Sequence, residues 1–301
     1  MKNVFRYVGV SALSALAAAV AMHHFLVVPR DADIDRLQKR DLTRRVVEKK
    51  LDDAAKAHAP KAERVDVGLP FGARIGSLLE VPRTQIALLT GSLLTLPKSA
   101  QMPIVAASRV RLDGADDIAL FRLYTDTGLD RSGAGASYLQ VLCAQGNVDE
   151  IRDLAYYQFL DRTFPITDEE QAPFRGEGFG LGQTDFEMGD EQLANIPQVA
   201  PQLAALLGGA DSLRFVRDTP GGDYVKPFQA EETRMDDPIG EEGMQKRQSF
   251  MPYVRALADG KQERLLISFD NVLSMDGKPT RAAYVDYLVG LALDRSKVKV
   301  F

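Results

Sequence analysis

Histidine is nearly missing from this chain, and its scarcity removes more chemistry than any motif supplies. The three histidines, His23, His24 and His58, lie in the first 58 of 301 residues; Cys143 is the single thiol and tryptophan is absent. Ser-His-Asp and Cys-His hydrolysis need an imidazole to take the nucleophile's proton, and zinc sites draw on His and Cys at set spacings. After Ala59 none of these can be assembled from one chain. A lone cysteine makes no intramolecular disulfide, and its setting in Tyr138-Leu-Gln-Val-Leu-Cys143 reads as a buried small hydrophobe. Gly-Lys-Ser/Thr is also missing. The glycine run Gly176-Glu-Gly-Phe-Gly-Leu-Gly182 lacks the preceding strand and following helix of a phosphate cradle, and reads as a flexible loop. No cofactor or metal set is expected.

Basic charge is scarce in the larger part of the chain. The total is 37 Lys and Arg against 42 Asp and Glu, but residues 67–301 hold 24 against 33, a balance of −9. Nucleic-acid affinity comes mostly from neutralising phosphates, so this segment is a poor nucleic-acid partner. The composition, 45% hydrophobic and 26% charged, is that of an ordinary globular protein.

What is present begins with a membrane signal. Tyr7 to Val28 carries no formal charge over 22 positions, between Arg6 and Pro29-Arg30. About 20 apolar residues at ~1.5 Å each span the hydrocarbon core. One reading is a single-pass anchor that puts residues 7–28 in the lipid bilayer; the other is a secretory signal cleaved after Ala19-Val20-Ala21. Arg30, Arg36, Lys39, Arg40, Arg44 and Arg45 outweigh Lys2 and Arg6 and favour a cytoplasmic C-terminal side of the inner membrane. A periplasmic or secreted domain is the alternative. Residues 31–66 follow as a charged stalk, helical to His58, without Gly or Pro before Pro60 and with apolar positions scattered around the helix.

Residues 67–301 change character, with short alternating runs broken by Gly, Pro and Asp. They read as an α+β domain, mainly antiparallel β with few short helices. Candidate strands are 74–81, 85–90, 92–96, 104–112, 118–125, 137–143, 214–216, 224–228, 264–270 and 284–294. Arg109-Val-Arg-Leu-Asp113 alternates, which points Val110 and Leu112 inward. Residues 200–209 read as a short helix with Pro in its first turn and Gly past its end. Residues 148–160 fit helix or strand, residues 167–190 read as the least ordered stretch, and no internal repeat is visible.

Acids cluster at Asp168-Glu-Glu170, 185–191, Glu231-Glu232, Asp236-Asp237 and Glu241-Glu242. Two carboxylates can run glycoside hydrolysis, and several can hold Ca²⁺ or Mg²⁺. Asp237 and Glu187 are the candidate catalytic residues on that reading, while a solvated surface explains the clusters without a site. Asp236-Asp-Pro-Ile-Gly240 reads first as a turn.

Leu69-Pro-Phe-Gly-Ala-Arg-Ile-Gly-Ser-Leu-Leu-Glu-Val81, Phe121-Arg-Leu-Tyr-Thr-Asp126, Tyr138-Leu-Gln-Val141, Arg234-Met-Asp-Asp-Pro-Ile-Gly240 and the closing strand resemble the bacterial YjfK-like family, domain of unknown function 2491, over roughly residues 67–301. The resemblance brings no activity, catalytic residue or cofactor. It implies envelope-linked work on the cytoplasmic side, beside small membrane proteins and a phage-shock-like membrane-remodelling protein. The anchor and stalk depart from the shorter family members. The reading is therefore a membrane-tethered binding or scaffold protein with an unidentified membrane or envelope protein partner. A carboxylate-dependent hydrolase of an envelope substrate is the alternative, and a divalent-cation sensor a third reading.

Overall fold

Alternation of inward and outward side chains over eight long strands closes this chain into a barrel. The computed structural model describes residues 49–50, 63–97, 99–127, 136–273 and 279–301. The expected anchor (7–28) and nearly all of the stalk lie outside the described residues; among the described residues no helix is long and apolar enough to cross a membrane.

From the N-terminal side come β1 (Leu78–Glu80), helix α1 (Arg83–Ala87), β2 (Gln101–Pro103), β3 (Ala106–Leu112), β4 (Ile118–Asp126), β5 (Ser137–Ala144) and β6 (Asn147–Thr163). An excursion carries α2 (Asp168–Arg175), β7 (Asp185–Gly189), α3 (Asp190–Ala194), α4 (Leu203–Leu207) and β8 (Ser212–Arg217). Then follow β9 (Phe228–Met235), β10 (Gly243–Ala256), β11 (Gln262–Leu273), β12 (Pro279–Ala292) and β13 (Lys299–Val300).

Strands β3 to β6 form one antiparallel meander and β9 to β12 a second. First strand pairs with first, β3 to β9, and last with last, β6 to β12, so the eight strands close with every pairing antiparallel. Closure leaves no free edge along these strands. The two halves repeat one topology that the residues do not betray as a sequence repeat. Strands β8 and β7 extend from the far end of β10, and β13, β1 and β2 form a separate small sheet.

One parity of each strand fills the barrel. Ala106, Val110, Leu120, Tyr124, Tyr138, Ala155, Tyr157, Ala230, Phe250, Leu266 and Leu288 form one buried cluster drawn from all eight strands. The opposite parity, including Leu123, Val141, Tyr156, Met251, Ile267, Val285 and Val289, faces outward. There it is covered by Leu69, Leu79, Ile86, Leu93 and Ile104 before the barrel and Leu181, Met188, Leu193 and Phe215 from the excursion. The outer cover therefore forms the larger core. Gly290 is required inside: a Cβ there would come within 2.8 Å of the Tyr156 carbonyl oxygen and 2.5 Å of the Tyr157 ring. The tight β5–β6 turn uses Gly146 at φ 76°, the left-handed region that favours glycine.

The strands expected at 104–112, 118–125, 137–143, 214–216, 264–270 and 284–294 are present, with Val110 buried and Arg109 and Arg111 exposed as the alternation required. The ambiguous 148–160 stretch belongs to strand β6, and the expected helix at 200–209 is a 3-10 turn running into α4. Cys143 is fully buried.

Five expectations need correction. Of the strand expected at 74–81 only Leu78–Glu80 forms, because the chain turns at Ile75 and Gly76, the glycine at φ 96°. Residues 85–90 belong partly to α1, a single turn that buries only Ile86. Residues 92–96 form no strand because side chains take their backbone groups: Glu263 Oε1 accepts from Leu93 N at 2.7 Å and Gln158 Oε1 from Thr95 N at 2.9 Å. The 224–228 strand begins only at Phe228. Residues 167–190 are ordered by a capping box, in which Thr167 Oγ1 accepts from Glu170 N and Glu170 Oε2 from Thr167 N, with Gly176 ending α2 in the left-handed region.

Candidate functional site

The inward parity that fills one end of the barrel with Val110, Leu120 and Phe250 delivers charge to the other. Arg122 on β4, Glu232 on β9, Lys246 on β10 and Asp270 on β11 are all buried. Arg122 Nη1 donates to Glu232 Oε2 at 2.6 Å and to Gln248 Oε1 at 3.1 Å, and its Nε donates to Gln140 Oε1 at 3.2 Å. The Tyr124 hydroxyl donates to Glu232 Oε1 at 2.6 Å. Lys246 Nζ lies 2.7 Å from Asp270 Oδ2 and 3.3 Å from Glu232 Oε2. Asp270 Oδ1 also accepts from Gln248 Nε2 at 2.9 Å and Ser268 Oγ at 2.5 Å.

Further toward that end, Arg162 grips Asp286 through two bonds of 2.5 and 2.8 Å and stacks 3.8 Å over the Tyr284 ring. Arg234 grips Asp236 at 2.7 and 3.0 Å. Four cations thus face four carboxylates. Tyr138 lies between Tyr124 and Tyr157, at centroid distances of 5.1 and 5.7 Å, beneath the Arg122 guanidinium.

The electrostatics follow from this packing. Desolvation pushes the Glu232 carboxyl up, but Arg122, Lys246 and its hydrogen bonds outweigh burial and hold it far below the ordinary carboxylate value. Lys246 is held charged in the same way, its desolvation outweighed by Asp270 and Glu232. Asp286 goes the other way: burial and the nearby Asp270 raise it despite Arg162. Burial lifts Tyr157 and Tyr284 to about 12. A strand slipped by one residue would turn its member of this layer out of the interior and leave a buried counter-charge unpaired.

Outside this end lies a cleft of about 420 Å³, where residues 95–97 and 99–103 lie against β4, β5 and β6. Leu96, Pro97, Met102, Pro103, Tyr156 and Phe159 supply its apolar wall. Its polar groups bond across it: Gln158 Nε2 donates to the Thr95 carbonyl at 2.9 Å, and the Thr125 and Ser137 hydroxyls are 2.8 Å apart. Two strand irregularities meet here. One lies between Tyr124 and Asp126 against β5, and the other near Phe159 against β12. Such bulges re-aim side chains beside binding sites.

The acids singled out from sequence lie elsewhere. Asp237 sits in the expected turn between β9 and β10, where its carboxylate accepts from the backbone N–H of Glu242 and of Ile239; those bonds hold it below the ordinary value. Glu187 is on β7, accepting from Ser212 Oγ at 3.1 Å. The two occupy opposite ends of β10, since the turn precedes Gly243 while β8, which carries β7, joins at Tyr253 and Val254. At ~3.3 Å per residue that is a separation of roughly 30 Å, so they do not form one site.

Glu231-Glu232, read as solvated surface, splits: Glu231 pairs with exposed Arg111, while Glu232 is fully buried. The charged layer was missed because β9 and β10 carry polar residues on both faces and give no apolar alternation. Its trace in the sequence was the segments that carried the family resemblance, which supply Arg122, Tyr124, Tyr138, Gln140, Arg234 and Asp236. Among the described residues no group of three or more His, Cys, Asp and Glu gathers as a metal site.

The fold and its interior define a closed, eight-stranded antiparallel barrel with an ion-paired polar layer and an outer apolar cover. The chain belongs to the DUF2491 family, described as a protein of unknown function, whose model matches residues 44–299. No curated protein and no solved structure matches it.

Proposed function

We infer that the protein is a membrane-tethered binding or scaffold protein without enzymatic activity, in which the barrel is a rigid support and the 95–103 cleft receives a partner from the membrane or envelope. One observation carries this reading: the ionisable groups of the barrel interior are engaged with one another, and the cleft presents an apolar wall. Catalysis by general acid and base needs two proton-transferring groups aimed at one cavity. Asp126 is the one carboxylate lining the cleft among the described residues. The tether is residues 7–28, an uncharged run of bilayer length, and the basic residues after it favour a single pass with the domain in the cytoplasm.

The test uses the full chain in its native membrane with a C-terminal compartment reporter and a photo-crosslinking residue at Leu96. The expected result is an uncleaved protein that resists alkaline extraction, with its domain cytoplasmic. A defined crosslinked partner from position 96 should be lost in Met102→Asp. Alkaline release of the protein refutes the tether. Turnover of an envelope glycan or peptide that is lost in Asp126→Asn refutes the non-enzymatic reading.

A further inference from the structure

The two most exposed large apolar side chains of the described residues are Ile166 and Phe179, each 85% exposed, and Phe164, two residues before Ile166, is 56% exposed. They sit on one stiff unit, the connection from β6 through α2 to the glycine loop. Ile166 N donates to Glu170 Oε2 at 2.6 Å and Gln171 Nε2 to the Pro165 carbonyl at 3.1 Å, which ties the entry segment to α2. Beyond the helix, Leu181 N donates to the Pro173 carbonyl at 3.0 Å and Tyr224 OH to the Gly176 carbonyl at 2.7 Å. Gly182 N then donates to Tyr253 OH at 2.9 Å. A Cβ at Gly180 would fall 2.5 Å from Pro173 Cβ, so the loop lies against the last turn of α2. The helix is docked on the barrel by Phe174 stacked on Phe269 at 6.4 Å. Phe179 is thus held out into water by a loop fixed on both sides, where exposure serves no folding purpose.

The charge around these side chains is negative. Asp168, Glu169, Glu170 and Glu177 lie in the unit, and its arginine, Arg175, is already 3.5 Å from Asp168 and 3.4 Å from Glu177. Exposed Asp223 and Lys226 lie on either side of Tyr224 and cancel one another, so the negative excess is that of α2 and Glu177. An acidic rim is repelled by anionic lipid headgroups and, with residues 67–301 at −9, by a second copy of this chain. It complements a cationic segment.

We propose that Phe164, Ile166 and Phe179 form a docking surface for a Lys/Arg-rich amphipathic helix of a protein partner, apolar side against the aromatic and aliphatic anchors and basic side against the α2 acids. This surface is separate from the 95–103 cleft, and the proposal stands if the cleft is vacant of function.

The test places the full chain in phosphatidylcholine nanodiscs, with empty discs as the blank. A fluorescein-labelled helix of leucine and lysine at amphipathic spacing is titrated by anisotropy, beside its leucine and glutamate counterpart. The lysine peptide should bind and the glutamate peptide should not. Ile166→Ser with Phe179→Ser should weaken binding about tenfold or more with an unchanged melting curve, because both side chains are in water. Glu169→Lys with Glu177→Lys should weaken it severalfold and flatten its salt dependence, while Leu96→Ser in the cleft should leave it unchanged. Equal binding of both peptides, or wild-type affinity in the serine variant, overturns the proposal. So does self-association in sedimentation that the serine variant abolishes.

Discussion

Replacing Glu232 by glutamine keeps the shape of a fully buried side chain and removes one charge from the centre of the barrel. In the native layer Arg122 and Lys246 face Glu232 and Asp270; after Glu232→Gln two cations share Asp270, and Arg122 Nη2 already makes no hydrogen bond within the protein. Breaking a buried pair from one side costs about 3–5 kcal/mol, because the charge left behind keeps its desolvation penalty. At ~2–4 °C per kcal/mol for a domain of this size, the melting temperature should fall by roughly 10 °C. Urea unfolding of the full chain, followed by far-UV circular dichroism and tyrosine fluorescence in the absence of tryptophan, reads the loss directly. The companion variant, Arg122→Met with Glu232→Met, removes both charges and leaves Lys246 paired with Asp270, so it should be less destabilised than Glu232→Gln alone. A Glu232→Gln protein within about 0.5 kcal/mol of wild type, or a double variant worse than the single, would refute the reasoning.

The same carboxyl sets an acid limit. Its folded pKa lies below the unfolded value, so its stabilising contribution is complete above pH 4.5 and is lost as the pH falls below that value toward the folded one; urea midpoints between pH 7 and 3 should drop more steeply in wild type than in Glu232→Gln. Gly290→Ala, whose Cβ would press on Tyr156 and Tyr157, should destabilise the barrel by about 1–3 kcal/mol in the same assay, and a neutral result would mean that the strand yields there. Glu263→Ala removes the acceptor shared by Ser92 Oγ at 2.6 Å, Leu93 N at 2.7 Å and the Arg255 guanidinium, so residues 88–97 should become sites of rapid limited proteolysis. Cleavage there at the wild-type rate would show that the segment is held by its apolar contacts instead.

Physical periodicity explains what could be read in advance. Strand β12 alternates, with Val285, Tyr287, Val289 and Leu291 on one face, while β4, β5 and β11 showed as short apolar runs bounded by Gly, Asp and Pro, and those two signals located them. Strand β10 could not be seen this way, since Lys246 and Gln248 face the interior where apolar residues are expected. The capping box at Thr167 and Glu170 was present in the sequence but overlooked beside so many glycines and acids.

The sequence by itself determined the β-rich class, the parity of its strongest strands, the Asp237 turn and the lack of imidazole chemistry after Ala59. These depend on neighbours along the chain. Only the tertiary structure decided that the strands close, that the larger apolar core lies outside the barrel, and that Arg122, Glu232, Lys246 and Asp270 meet within it. Arg122 and Glu232 are 110 positions apart. Whether a charged residue on an alternating strand meets water or a counter-charge depends on which strand closes the sheet opposite it, a fact no local pattern contains.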